Sequence, residues 1–122
     1  MLKNILRANA VSCLVFGLLF VAIPAIVAAF LGSAPWLAIS IIGALLIVNG
    51  LHLLWAAKRT PAKWEVIYFS VGDFLWLLAT IVLIATGFWI TTTKGIIVAI
   101  LVALMVGLFG LMQVKAQFCR GK

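Results

Sequence analysis

Asp73 is the residue of this chain whose type and position most strongly suggest chemistry. It lies inside the apolar segment 66–88, where an ionisable side chain costs roughly 2.5–3.5 kcal/mol on membrane-insertion scales and marks a functional candidate. His52 and Asn49 lie three residues apart, on one face of the preceding apolar segment, 36–57. At ~1.5 Å per residue, Asp73, His52 and Asn49 lie ~8–12 Å from the same membrane surface. We therefore expect Asp73 to pair with His52, whose side chain exchanges a proton near neutral pH.

Other polar residues extend this candidate site onto the first and last apolar segments. Ser70 precedes Asp73 by about one turn, and Asn9 and Ser12 repeat that spacing near the start of the chain. Gln113 lies near the end of the last apolar segment. The pattern predicts one intramembrane polar cluster, made of Asp73, His52, Asn49, Ser70, Asn9 and Ser12 with Gln113 beside them.

The polar cluster has three interpretations. It could lock the helices together by interhelical hydrogen bonds, form a ligand or proton-linked site, or hold a metal or haem. The last is a poor match because His52 is the only histidine, and a metal site needs several ligands. We expect neither a metal nor a cofactor.

Enzymatic chemistry finds no support in the chain. Glu65 and Asp73 are its two acidic residues, and they do not form a catalytic carboxylate pair. There is also no Ser/His/acid arrangement on plausible loops and no glycine-rich phosphate-binding loop. We therefore expect a protein without catalytic activity.

The composition indicates which elements hold these residues. The chain has 122 residues, of which 67% are hydrophobic and 9% charged, whereas soluble domains are roughly 45–50% apolar and about 25% charged. A bilayer core needs about 20 apolar residues for each spanning helix. Four segments qualify, at about 9–31, 36–57, 66–88 and 95–114. We predict a single all-α transmembrane domain over residues 1–122, an integral membrane four-helix bundle.

The net charge of +7 reflects topology. The basic residues flank the apolar segments instead of forming a block, which argues against a nucleic-acid partner. Lys94 lies in the last connector, and the other eight cluster at the chain ends and the middle connector: Lys3, Arg7, Lys58, Arg59, Lys63, Lys115, Arg120 and Lys122. Because basic loops stay in the cytoplasm, we predict that both termini and the middle connector are cytoplasmic.

The two halves of the chain resemble each other weakly. Gly17 to Gly32 aligns with Gly72 to Gly87, and Gly50 with Gly107. One explanation is chance alignment of apolar helices. The other is a duplication, which predicts two tandem helical hairpins related by an axis along the membrane normal.

Small residues also mark close helix contacts. They are Ala99, Ala103, Gly107 and Gly110 in the last helix, and Gly43 and Gly50 in the second. These residues indicate packing within the bundle or contact with another protein. Pro24 is expected to kink the first helix, because it cannot donate the helical hydrogen bond to Phe20.

Several short motifs carry a family resemblance. Leu6-Arg7-Ala8-Asn9-Ala10, Gly50-Leu51-His52 and Gly72-Asp73-Phe74-Leu75-Trp76 resemble small uncharacterised bacterial inner-membrane proteins with four helices. The resemblance implies a location in the bacterial inner membrane, and no function comes with it. The chain is also similar in size to small multidrug resistance exporters, but their essential glutamate lies in the first helix, where this chain has no acidic residue.

Two functions remain open. The first is a noncatalytic accessory or scaffold subunit of a larger membrane complex, or a small homo-oligomer, in which the polar cluster is structural. The alternative is a small proton-coupled transporter or exporter that uses Asp73 and His52. A monomeric ion pore is unsuitable, because the half of the bundle away from the cluster has few polar side chains to replace a hydration shell.

Overall fold

Helices make up nearly all of the described chain. A computed structural model describes residues 2–59 and 61–120, with side chains up to Phe118. Its helices are α1 (Leu2–Ala22), α2 (Pro24–Leu31), α3 (Trp36–Lys58), α4 (Lys63–Thr86) and α5 (Thr93–Arg120). Four of them, α1, α3, α4 and α5, are long and apolar enough to cross a membrane. The predicted all-α four-helix transmembrane fold is thereby confirmed, and the protein is a multi-pass membrane protein.

The outer helices extend further than their apolar stretches. We predicted the first helix from residue 9 and the last to residue 114, but α1 begins at Leu2 and α5 ends at Arg120. Long basic side chains such as Lys3, Arg7 and Lys115 can continue a helix past the hydrocarbon, because their charged ends reach the headgroups. Lys122 and the side chains of Cys119 and Arg120 lie outside the described residues.

Pro24 divides the first transmembrane segment into two helices. α1 ends at Ala22 and α2 begins at Pro24, while Ile23 between them has φ −135° and ψ 55°, outside the helical region. Proline lacks the N–H that would continue the ladder, and its ring clashes with the preceding turn. The expected kink is therefore a full break.

The helices form two hairpins. α1 and α2 pack along α3, and α4 packs along α5. In the first hairpin the backbones meet at Gly17 and Gly43, where a Cβ on Gly43 would lie 2.9 Å from the Gly17 carbonyl oxygen. A Cβ on Gly50 would lie 3.2 Å from the Ala10 carbonyl oxygen. Gly43 and Gly50 thus serve packing within the chain.

The second hairpin uses the small residues of α5 in the same way. Ala103 is buried, and Ala99 is half-buried. A Cβ on Gly107 would lie 3.0 Å from Leu77, and one on Gly110 would lie 3.1 Å from the Asp73 Cβ. These residues therefore bring α4 and α5 together.

The two halves of the chain are alike in that each forms a hairpin of packed helices. The likeness does not hold for the aligned glycines Gly17 and Gly72. Gly17 lies in the tight α1–α3 contact, whereas a Cβ on Gly72 would meet nothing within 4 Å.

The hairpins meet at both ends of the bundle. At the basic end, which carries Lys3, Lys58 and Lys63, α3 and α4 meet through side chains in one apolar core that includes Leu53 and Val66. At the opposite end the connectors pair, and the Thr91 N–H donates to the Leu31 carbonyl oxygen at 2.8 Å. The Ser33 N–H donates to the Trp89 carbonyl oxygen at 3.1 Å. Between these ends α1 and α2 contact α5, but α3 has little backbone contact with α4.

Gly43→Leu is expected to lower the free energy of unfolding by about 1–3 kcal/mol, because the added side chain overpacks the α1–α3 contact. Gly72→Leu is the matched control and should leave stability unchanged, since open space surrounds Gly72. Denaturant titration of the purified protein in detergent, followed by circular dichroism, measures both. Wild-type stability of Gly43→Leu would contradict this packing.

Candidate functional site

A buried polar cluster lies between the two hairpins near the basic end. Asn9 comes from α1, Ser70 and Asp73 come from one face of α4, and Gln113 comes from α5. Their exposed fractions are 1%, 1%, 5% and 0%, respectively. The structure thus brings together three of the residues predicted for the site, and Gln113 lies at their centre.

The two amide side chains connect the cluster. Asn9 Nδ2 donates to Asp73 Oδ2 at 3.1 Å and to Gln113 Oε1 at 2.8 Å. Gln113 Nε2 donates to Asp73 Oδ2 at 3.1 Å and to Ser70 Oγ at 3.2 Å. Since Asn9 belongs to the first hairpin and the others to the second, the two bonds that Asn9 donates join the hairpins.

Cys13 extends the cluster towards α3. Its Sγ lies 3.6 Å from Asn9 Oδ1 as a donor, and Asn49 Nδ2 lies 3.6 Å from the same sulfur. Both contacts are weak, because sulfur is a poor hydrogen-bonding partner. Cys13 was missed in the sequence, although it follows Asn9 by one helical turn.

Ser12 does not belong to the cluster. It is half-buried, and no hydrogen bond links its side chain to the other members within the described residues. We expected Ser12 beside Asn9 because it lies three residues later in the helix. Cys13, four residues after Asn9, occupies that place instead.

The expected pair between Asp73 and His52 is wrong. His52 Nε2 lies 2.9 Å from Glu65 Oε2, and Asp73 bonds to the two amides instead. Asp73 faces α5, where Gly110 lies close to its Cβ. The expectation rested on the similar depth of the two side chains, but α3 and α4 meet mainly at the basic end, and Asp73 lies beyond that contact.

Glu65 instead organises the connection between α3 and α4. Its side chain is 2% exposed, and the Arg59 guanidinium donates to its Oε2. Its Oε1 accepts a hydrogen bond from the Ala62 N–H at 3.0 Å, at the helix N-terminus, where a carboxylate is favourable. Arg59 Cζ lies 3.9 Å from the centroid of the Trp55 ring. The His52 and Phe69 rings are arranged edge to face, with their centroids 4.8 Å apart. Sequence reasoning treated Glu65 only as an isolated acidic residue.

The side chains of the cluster are held together by hydrogen bonds. Within the described residues, Arg59 Nε is the one buried side-chain nitrogen or oxygen without a partner, and it lies outside the cluster. The described residues also contain no group of three or more His, Cys, Asp or Glu side chains that could hold a metal ion. The arrangement therefore supports a tie between helices.

Beyond the cluster the bundle becomes apolar. A cavity of about 230 Å³ lies between α4 and α5 and is lined by Leu77, Thr80, Ile81, Ile84, Ile100, Ala103 and Leu104. The Thr80 hydroxyl donates to the Trp76 carbonyl oxygen at 2.8 Å. Thr80 is thus the polar residue among the side chains that line this cavity.

Comparisons with known proteins assign no family to this chain. No protein-family model, no curated protein and no solved structure matches it. The resemblance to small bacterial inner-membrane proteins therefore stays a prediction from short motifs.

Asn9→Ala is expected to lower the free energy of unfolding by about 1–3 kcal/mol, because it removes a donor from buried Asp73 and Gln113. Ser12→Ala on the same helix is the control, with an expected change within about 0.5 kcal/mol. Denaturant titration in detergent compares the two variants. Equal effects would contradict the role assigned to Asn9.

Proposed function

We propose that this protein is a noncatalytic subunit of the bacterial inner membrane, acting as a scaffold or accessory component through self-association or within a larger assembly. The observation that carries this proposal is the bonding of Asp73 to Asn9 and Gln113. Neither amide titrates, so the two side chains that donate to Asp73 Oδ2 do not exchange its proton. The cluster instead joins α1 to α4 and α5.

The position of His52 supports the same proposal. A proton-coupled transporter that uses Asp73 and His52 needs them to communicate. His52 instead contacts Glu65, which also binds Arg59, and these three groups form a separate network beside the α3–α4 connector. The two candidate proton carriers therefore belong to different networks.

An exposed stripe on α5 favours self-association. Ile97, Leu101, Leu104, Leu108 and Leu111 are each more than half exposed, and they alternate at spacings of four and three residues. This spacing is the heptad pattern by which helices interlock side chains. Lipid tails are as apolar as these side chains, so the hydrophobic effect does not drive two such helices together. They associate through van der Waals packing of their side chains. Ala103 and Gly110 are used inside the second hairpin, so the stripe is the surface that α5 offers to a second copy.

The distribution of charge supports an orientation with both termini in the cytoplasm. All described Lys and Arg residues except Lys94 lie at the basic end, and basic segments are retained on the cytoplasmic side. Trp55, Trp64 and Tyr68 are exposed at that end, as expected for aromatic rings at headgroup depth. The middle connector is then cytoplasmic as well.

Asp73→Asn is expected to preserve folding and assembly, because the carbonyl oxygen of Asn can accept the hydrogen bonds that Asp73 Oδ2 accepts. Native mass spectrometry of the tagged full chain, extracted from its own membrane in mild detergent, measures assembly. We expect a homo-oligomer or a stoichiometric partner for both proteins. A monomer without a partner would contradict the scaffold role, and assembly lost only in Asp73→Asn would contradict a purely structural cluster.

Leu104→Ala with Leu108→Ala is expected to weaken self-association, because it removes the centre of the stripe. The control is Leu78→Ala with Val82→Ala, which truncates exposed side chains of α4. The oligomer-to-monomer ratio at equal protein-to-detergent ratio compares the two. An equal loss in both variants would exclude the stripe as the contact.

A further inference from the structure

A cleft opens between α3 and α4 above the basic end. His52 and Tyr68 face each other across the two helices, with ring centroids 6.1 Å apart. One and two helical turns further from that end, the same face of α3 carries Val48 and Leu45, both more than half exposed. Val48 and Leu45 would be covered if α3 packed against α4 along its length, but both side chains are exposed.

The α4 side of the cleft shows the same opening. Val71 and Leu75 follow Tyr68 on one face of α4 and are at least half exposed. Gly72 lies between them, and a Cβ placed there would meet nothing within 4 Å. The α3–α4 cleft, lined by Val48, Leu45, Val71, Gly72 and Leu75, thus has an apolar surface and free space.

Positive charge lies at the basic end of this cleft, which we call its mouth. Lys58 ends α3 and Lys63 begins α4, and both side chains are exposed. Glu65, the carboxylate at this end of the described chain, is buried and bound by Arg59 and His52. Within the described residues, Lys58 and Lys63 have no ion-pair partner. The mouth therefore presents two uncompensated ammonium groups.

Aromatic rings indicate the depth of these charges. Trp55 and Trp64 lie one turn before Lys58 and one residue after Lys63, and both rings are exposed. Trp side chains settle at the level of the lipid headgroups. The ammonium groups are thus placed at the depth of lipid phosphates, at the ends of the two helices whose apolar faces form the cleft.

We propose that the α3–α4 cleft is a binding site for an anionic phospholipid. Its acyl chains lie along the apolar walls, and its phosphate and negatively charged headgroup contact Lys58 and Lys63. Charge complementarity selects this occupant, because a partner helix would need acidic residues at the same depth. A second copy of the chain would bring more positive charge to the mouth. The inference is independent of the proposed scaffold role.

The test is a lipid titration of the full-length protein in mild detergent, followed by native mass spectrometry. Phosphatidylglycerol and phosphatidylcholine with identical acyl chains are the probes. We expect phosphatidylglycerol to bind more tightly, and we expect Lys58→Gln with Lys63→Gln to weaken its binding about 25-fold, at about fivefold for each basic residue. Lys94→Gln, which removes one positive charge at the opposite end, is the control and should leave binding unchanged.

Gly72→Phe tests the cleft without altering charge. It should fold, because nothing lies near a Cβ at this position, and it should displace the acyl chains and weaken binding of both lipids. Equal affinity for the two lipids in the wild type, or equal effects of the two sets of lysine variants, would overturn the proposal. It would also be overturned if Gly72→Phe dissociated an oligomer while phosphatidylglycerol still bound, because the cleft would then hold a second copy. A monomer that binds phosphatidylglycerol selectively would support it while contradicting the scaffold role.

Discussion

The hydrogen bonds from Asn9 to Asp73 and Gln113 set the arrangement of the two hairpins. Hydrocarbon offers no water to satisfy polar atoms, so a buried polar group must find its partner inside the protein. Asn9 is nearly inaccessible, and its amide reaches two acceptors on two different helices. Sliding or rotating α1 against the second hairpin would leave Gln113 Oε1 without its donor and would remove one of the two donors to Asp73 Oδ2. The position of one amide thus fixes a register that apolar side chains alone would specify weakly.

Contacts at the two ends of the bundle hold the hairpins in this register. Glu65 holds the α3–α4 connector through Arg59 and His52, and the paired connectors close the opposite end. Close packing is concentrated within each hairpin, where glycines allow the backbones to approach. Consecutive helices α3 and α4 are joined by a short connector yet remain apart over most of their length. Their separation leaves an apolar cleft with positive charge at its mouth, so the same architecture combines a hydrogen-bonded interior with a surface suited to lipid.

Features governed by composition could be predicted from the sequence, whereas features governed by helix orientation could not. Apolar length predicted the four spans, because any segment that crosses hydrocarbon must satisfy the same requirement. The missing N–H of Pro24 predicted a kink in the first segment, where the structure has a break between α1 and α2. Asn9 and Asp73 were expected in one polar cluster because both lie towards the same membrane surface. The pairing of Asp73 with His52 failed because depth does not specify which neighbour a helix face meets, and Gly110 allows α5 to approach that face. Glu65 was overlooked because its importance arises from the proximity of Arg59 and His52 across a connector.

The most direct measurement of the central claim is a double-mutant cycle between Asn9 and Gln113, which face each other across the two hairpins. Free energies of unfolding of the wild type, Asn9→Ala, Gln113→Ala and the double variant would be obtained by denaturant titration in one detergent. A hydrogen-bonded tie predicts a coupling free energy of about 0.6–1.7 kcal/mol, the range measured between transmembrane helices. Additive effects, with a coupling below about 0.3 kcal/mol, would contradict the claim that these side chains join the hairpins.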